Sequence, residues 1–144
     1  MRIFLDACCL YSAGRSPGGG SAKIILLSRE LGFTILLSSI TIFEAKNNLI
    51  KHLGKTAFNE LLAMFKNASS ELIPDLSQKE INAFENITVE KDLHVLAGAI
   101  KGKANVLVTL DRKHLLNQKV RKAFTIPIMN TQEFWKAFYE GTLK

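Results

Sequence analysis

The chain has 144 residues, 47% apolar and 22% charged, and its 19 Lys and Arg against 13 Asp and Glu give a charge of +6. That length fits one domain of about 100–200 residues, and the balance excludes a disordered or low-complexity chain. No apolar run approaches the ~18 residues of a membrane helix, and MRIFLDA lacks the apolar core of a signal peptide, so the expectation is a cytoplasmic protein with a basic excess that attracts a polyanion.

Residues 2–5 form a short apolar run without alternation, as in a parallel strand buried on both faces. SAGRSPGGGSAK (12–23) reads as a loop from its Gly, Pro and Ser. Ile24, Leu27 and Leu31 then recur at helical spacing, which predicts a helix over 21–31 ended by Gly32. FTILLS (33–38) is a second buried strand. A helix over 40–53 follows, with Ser39 as N-cap and Gly54 as stop, and then another over 55–67.

SELIP (70–74) reads as a short outer strand ended by Pro74. SQKE (77–80) has the spacing of a capping box, which gives Glu80 a structural task. A helix over 90–102 carries Leu93, Leu96, Ala97 and Ile100 on one face. Residues 105–108 form a strand, a helical turn starts at Arg112, and FTIPI (124–128) is the last strand. NTQE (130–133) caps a C-terminal helix through Glu133. The helical stripe Phe134, Trp135, Phe138 and Tyr139 is expected to be mainly core, with a part left exposed for a second copy or a partner.

Strands alternate with helices throughout. The fold class is therefore α/β: a single three-layer α/β/α sandwich with a mostly parallel central sheet, one domain over 1–144. In such a sheet ligands bind beyond the carboxyl ends of the strands, where the strand order reverses. Asp6 directly follows the first strand, and Asp111 closes VLVTLD. Glu44 falls in the first turns of the helix leaving the second strand. Asp92 opens the helix that enters the 105–108 strand, and the N-terminus of that helix lies toward the same carboxyl edge. All four acids can meet in one crevice.

Carboxylates crowded there repel one another, and a divalent cation is the usual relief. Hard oxygen donors suit one or two ions of Mg²⁺ or Mn²⁺. Thr109, two residues before Asp111, is placed to offer its hydroxyl to a bound water or phosphate, or is simply a β-branched strand residue. The acids also have plain readings: Asp111 as N-cap of its turn, Asp92 as a charge at a helix N-terminus, Glu44 as a surface residue. Adjacent Cys8 and Cys9 make no disulfide framework. His52, His94 and His114 lie far from Cys8 without ligand spacing, so zinc is not expected.

Taken in order, FLDACCL, SSITIFEAKNNL and KDLHVLAGAIKGKANVLVTLDRKHL resemble PIN-domain ribonucleases, especially the VapC-like toxins of bacterial and archaeal toxin–antitoxin pairs. The resemblance spans almost the whole chain. It implies a PIN-like fold and Mg²⁺- or Mn²⁺-dependent hydrolysis of RNA to a 5′-phosphate and a 3′-hydroxyl. It also implies that Asp6, Glu44, Asp92 and Asp111 are the catalytic and metal-holding quartet, with Thr109 as the associated hydroxyl. Lys46, Arg112 and Lys113 flank these acids as expected RNA contacts. A homodimer or higher homo-oligomer and a cognate antitoxin are the implied partners.

Two positions depart from the family's pattern: Cys8 where many members are polar, and Lys113 and His114 where some add a further acid. Two other readings stay open. A PIN-like module that binds RNA or protein without cutting is opposed by the intact quartet. A DNA-directed nuclease is opposed by the absence of a larger acid set and of insertions for gripping a duplex.

Overall fold

Five short strands pair in parallel in the computed structural model, which describes residues 1–143. They are β1 (Arg2–Leu5), β2 (Thr34–Leu37), β3 (Ser70–Leu72), β4 (Val106–Val108) and β5 (Ile128–Met129), in the order β3-β2-β1-β4-β5. Side chains alternate across the sheet at period two. Ile3, Leu5, Ile35, Leu37, Val106 and Val108 enter one core, and Phe4, Leu36, Leu107 and Ile128 enter the other. Both faces of the central strands are covered, which is why their sequences are unbroken apolar runs.

The first core is closed by α1 (Ala7–Arg15), α2 (Gly20–Leu26), α4 (Ser39–Leu53), α5 (Lys55–Phe65) and α9 (Thr131–Tyr139). The second is closed by α7 (Leu93–Lys101) and α8 (Gln118–Ala123). The three-layer sandwich is thus in place, with a sheet that is parallel throughout. Helix α7 lies close on β1 because Gly98 faces Phe4; a Cβ at Gly98 would stand 2.7 Å from the Phe4 ring. Among the described residues no helix is long and apolar enough to cross a membrane.

Several boundaries differ from the sequence reading. Residues 7–15 are helical, although 12–15 read as loop: Asp6 caps Ala7 N, and Cys9, Leu10 and Ala13 bury against the first core. The helix expected over 21–31 breaks at Leu27 into α2 and α3 (Ser28–Leu31), and Gly32 ends it at φ 75°. The N-cap of α4 is Ser38, not Ser39, in a capping box with Thr41. The last strand is shorter than expected: it spans only Ile128–Met129, with Pro127 O accepting from Leu107 N at 2.9 Å just before it. Helix α8, capped by Asn117, had no clear apolar period to announce it.

The capping boxes form as expected at Glu80, on α6 (Gln78–Asn82), and at Glu133. Glu80 also takes Lys101 at 2.9 Å, and Glu133 takes Arg121 at 2.9 Å, so part of the chain's basic excess is engaged in structure. In the aromatic stripe Phe134 is buried, the Trp135 indole donates to Gly20 O, and Tyr139 is 75% exposed.

Candidate metal centre

From β1 the chain adds β2 and β3 on one side and β4 and β5 on the other, so the order reverses between β1 and β4. Leu5 is in register with Val108, which makes the next residues, Asp6 and Thr109, neighbours at the carboxyl edge. Asp6 N bonds Val108 O at 3.1 Å. The Asp6 carboxylate accepts from Ala7 N at 2.7 Å through one oxygen. Its other oxygen accepts from Thr109 Oγ1 at 2.8 Å and from Cys8 Sγ at 3.4 Å. Burial lifts the Asp6 pKa above the ordinary carboxylate value, outweighing the hydrogen bonds from Thr109, Ala7 and Cys8 that favour its charged form.

Asp111 does cap its turn, as one of the plain readings held. Its Oδ1 accepts from Lys113 N at 3.1 Å and His114 N at 2.9 Å, while its Oδ2 takes no part in the cap. Thr109 is fully buried, and its hydroxyl also accepts from Asp111 N at 3.1 Å. It therefore ties Asp6 to the Asp111 loop from beneath the crevice instead of reaching into it.

Asp92 ends a short 3₁₀ turn, Glu90–Asp92, and its side chain makes no capping bond to α7. Burial raises its pKa first, and repulsion from Asp111 adds to that. Asp92 Oδ2 is buried without a hydrogen-bond partner among the described residues. His114 Nδ1 lies 3.1 Å from it and 3.4 Å from Asp111 Oδ2. Glu44, on α4, comes from the opposite wall and sets Oε1 3.1 Å from Nε2 of His94, a buried histidine on α7.

Asp6, Glu44, Asp92 and Asp111 together line one open cleft of ≈ 630 Å³. Among the described residues, none of the four has a lysine or arginine partner within ion-pair distance. Asp92, Asp111 and His114 bring one potential ligand atom each to within 4.8 Å of one another. His114, which showed no ligand spacing toward cysteine, is therefore part of a tight donor group with two carboxylates. The arrangement can hold a cation against a phosphate, and the oxygen-rich donor set suits a hard divalent ion.

No family model matches the chain, and no curated protein matches it in sequence. Its likenesses are to solved structures. A chain in the crystal structure of Rickettsia felis VapBC2, bound to a DNA fragment from the promoter, matches with TM-score 0.62 at 22% identity, over 90% of this chain and 98% of that one. PAE2754 from Pyrobaculum aerophilum matches with TM-score 0.64 at 19% identity, over 97% of this chain and 99% of that one. The fold is PIN-like.

Within this PIN fold the basic residues singled out in the sequence do not line the cleft. Lys46 sits 5.5 Å over the Phe58 ring, and Arg112 and Lys113 line two other cavities. The lysine that does line the cleft is Lys91, next to Asp92. Asn48 and His52 line it as well, one and two turns beyond Glu44 on α4. That i, i+4, i+8 row was readable from spacing alone. Lys91 carried no such signal, and its place follows from the turn before α7.

Proposed function

We propose that this PIN-fold chain is a Mg²⁺- or Mn²⁺-dependent endoribonuclease, the cytoplasmic toxin of a toxin–antitoxin pair. One observation carries the reading: four carboxylates from four separate elements converge on one cleft at the switch point, with no lysine or arginine paired to them among the described residues.

The residues fit a hard divalent cation. Their donors are carboxylate oxygens, one of them, Asp92 Oδ2, buried without a hydrogen bond among the described residues. Burial raises the pKa values of both Asp6 and Asp92, and repulsion from Asp111 adds to that of Asp92. Asp6, Glu44, Asp92 and Asp111 would hold the ion or ions, whose chemistry is to neutralise phosphate charge and make an attacking water more acidic.

The protein's own part is positioning. Thr109 fixes the rotamer of Asp6, the turn at 111–114 fixes Asp111, and His94 holds Glu44 against the opposite wall. Lys91 at the cleft draws in a phosphodiester, and the charge of +6 favours a polyanionic substrate. Phosphodiester hydrolysis would leave a 5′-phosphate and a 3′-hydroxyl on RNA.

The likeness to a chain of VapBC2 supports a cognate antitoxin as partner. Large exposed apolar side chains such as Phe43, Leu72 and Tyr139 offer surface for it and for homodimerisation. The test is cleavage of end-labelled single-stranded and hairpin RNAs by antitoxin-free, metal-stripped protein to which Mn²⁺ is returned. Cutting that requires Mn²⁺ and disappears in Asp6→Asn supports the enzyme. Metal binding without cutting favours a non-catalytic binding module, and cutting of DNA alone favours a DNA-directed nuclease.

A further inference from the structure

Asp92 Oδ2, Asp111 Oδ2 and His114 Nδ1 form a tight donor group, in which the two carboxylates line the cleft and His114 lines another cavity with Lys113. The two nitrogen–oxygen separations are 3.1 and 3.4 Å. First-row ions bind such donors at about 2.0–2.2 Å, which places adjacent donors about 3.0–3.5 Å apart at octahedral or tetrahedral angles. Both separations from the imidazole nitrogen already match a coordination shell, and the two carboxylate oxygens lie within 4.8 Å of each other.

A hydrogen bond does not account for the approach. Asp92 Oδ2 is buried and has no hydrogen-bond partner among the described residues, although the imidazole nitrogen stands beside it. Asp111 commits Oδ1 to the amides of Lys113 and His114 and so keeps Oδ2 on the side of the trio. His114 is itself fixed at the backbone, its amide on Asp111 and its carbonyl accepting from the Thr88 hydroxyl at 2.7 Å. The turn thus delivers ring and carboxylate together.

We infer that His114 is a nitrogen ligand of the metal centre, completing a two-carboxylate, one-imidazole corner with Asp92 and Asp111. The inference rests on the metal-dependent reading above. Nδ1 ligates through its lone pair, with the ring neutral and its proton on Nε2. An imidazole donor shifts preference away from Mg²⁺, which favours oxygen, toward Mn²⁺, Co²⁺ and Zn²⁺. Losing it should narrow the preference for Mn²⁺ over Mg²⁺ by about tenfold, the lower end of what ligand-supporting residues contribute.

The test is pulsed electron paramagnetic resonance of the full chain loaded with Mn²⁺. Directly coordinated ¹⁴N is expected in the wild type, retained in His94→Gln and lost in His114→Asn. Wild-type protein labelled with ¹⁵N-histidine should replace the ¹⁴N coupling by ¹⁵N, a readout that does not depend on a variant folding. Mn²⁺ bound with no nitrogen coupling, or coupling lost in His94→Gln instead, overturns the assignment and leaves the carboxylate centre standing. Failure of the wild type to bind Mn²⁺ at all overturns both.

Discussion

Thr109 Oγ1 donates to Asp6 Oδ2 at 2.8 Å and accepts from Asp111 N at 3.1 Å. One fully buried hydroxyl thereby sets the spacing between the carboxylates that end two adjacent strands. Thr109→Val removes both bonds while keeping the branched shape, leaving the half-buried Asp111 amide without this acceptor and the buried Asp6 Oδ2 with Cys8 Sγ alone. The expected cost is about 1–3 kcal/mol of stability, together with weaker Mn²⁺ binding, read by thermal denaturation and calorimetry. Thr109→Ser should restore most of both, since it keeps the hydroxyl.

Asp6 gives the protein a pH-dependent penalty. Its folded pKa is raised by burial, so between the ordinary carboxylate value and that raised value the folded state holds a proton that the unfolded state has lost. Metal-free stability therefore falls as pH rises through this window, and the penalty is complete above it. Asp92 acts in the same direction, through burial and then through Asp111. Metal-free Asp6→Asn should melt above the wild type at neutral pH, by about 2–4 °C for each kcal/mol relieved in a chain of this size. The difference should vanish below about pH 3.9, where the unfolded carboxyl is protonated too. Saturating Mn²⁺ should reverse the order of the two proteins.

His94 acts on Glu44 across the cleft, at 3.1 Å. His94→Leu removes the partner and should weaken Mn²⁺ binding by about tenfold, or about 1.4 kcal/mol. His94→Gln, which keeps a polar N–H group beside Glu44, should recover much of the loss. Equal affinities in the two variants would show that the histidine serves packing alone.

Gly98 positions the helix that carries Asp92 at its start. A methyl at this position would press on Phe4, 2.7 Å from the ring, in a core where both neighbours are buried. Gly98→Ala should cost about 1–3 kcal/mol in urea denaturation. Combining it with Phe4→Leu should return part of the loss, because the two residues share one contact.

Much of this architecture was legible because parallel strands buried on two faces leave unbroken apolar runs, as in IFL and VLV. A carboxylate at the end of such a run falls on the ligand-binding edge, which is how Asp6 and Asp111 could be placed. Asp92 followed from direction alone, since a helix entering a strand begins at that strand's far edge. Helix α1 was harder: its Cys, Ser, Ala and Gly residues resemble loop punctuation, and its helical state depends on the Asp6 cap and on burial against other elements. The burial of Thr109 is likewise set by tertiary structure, including the bond from its amide to Met129 O on β5. The Glu44–His94 contact joins residues far apart in sequence, so no local pattern could disclose it. His114 was different: its i+3 relation to Asp111 was visible, but ligand spacing was weighed only toward Cys8, where there was none.

In the proposed function these carboxylates form one metal centre that cuts RNA. The most direct measurement is calorimetric titration of Mn²⁺ into antitoxin-free wild type and Asp6→Asn, with cleavage of labelled RNA followed in the same buffers. The expected result is saturable binding and metal-dependent cutting in the wild type, with both lost or severely reduced in Asp6→Asn while the variant stays folded. A wild type that binds no Mn²⁺, or that cuts RNA equally well without Asp6, would contradict the account.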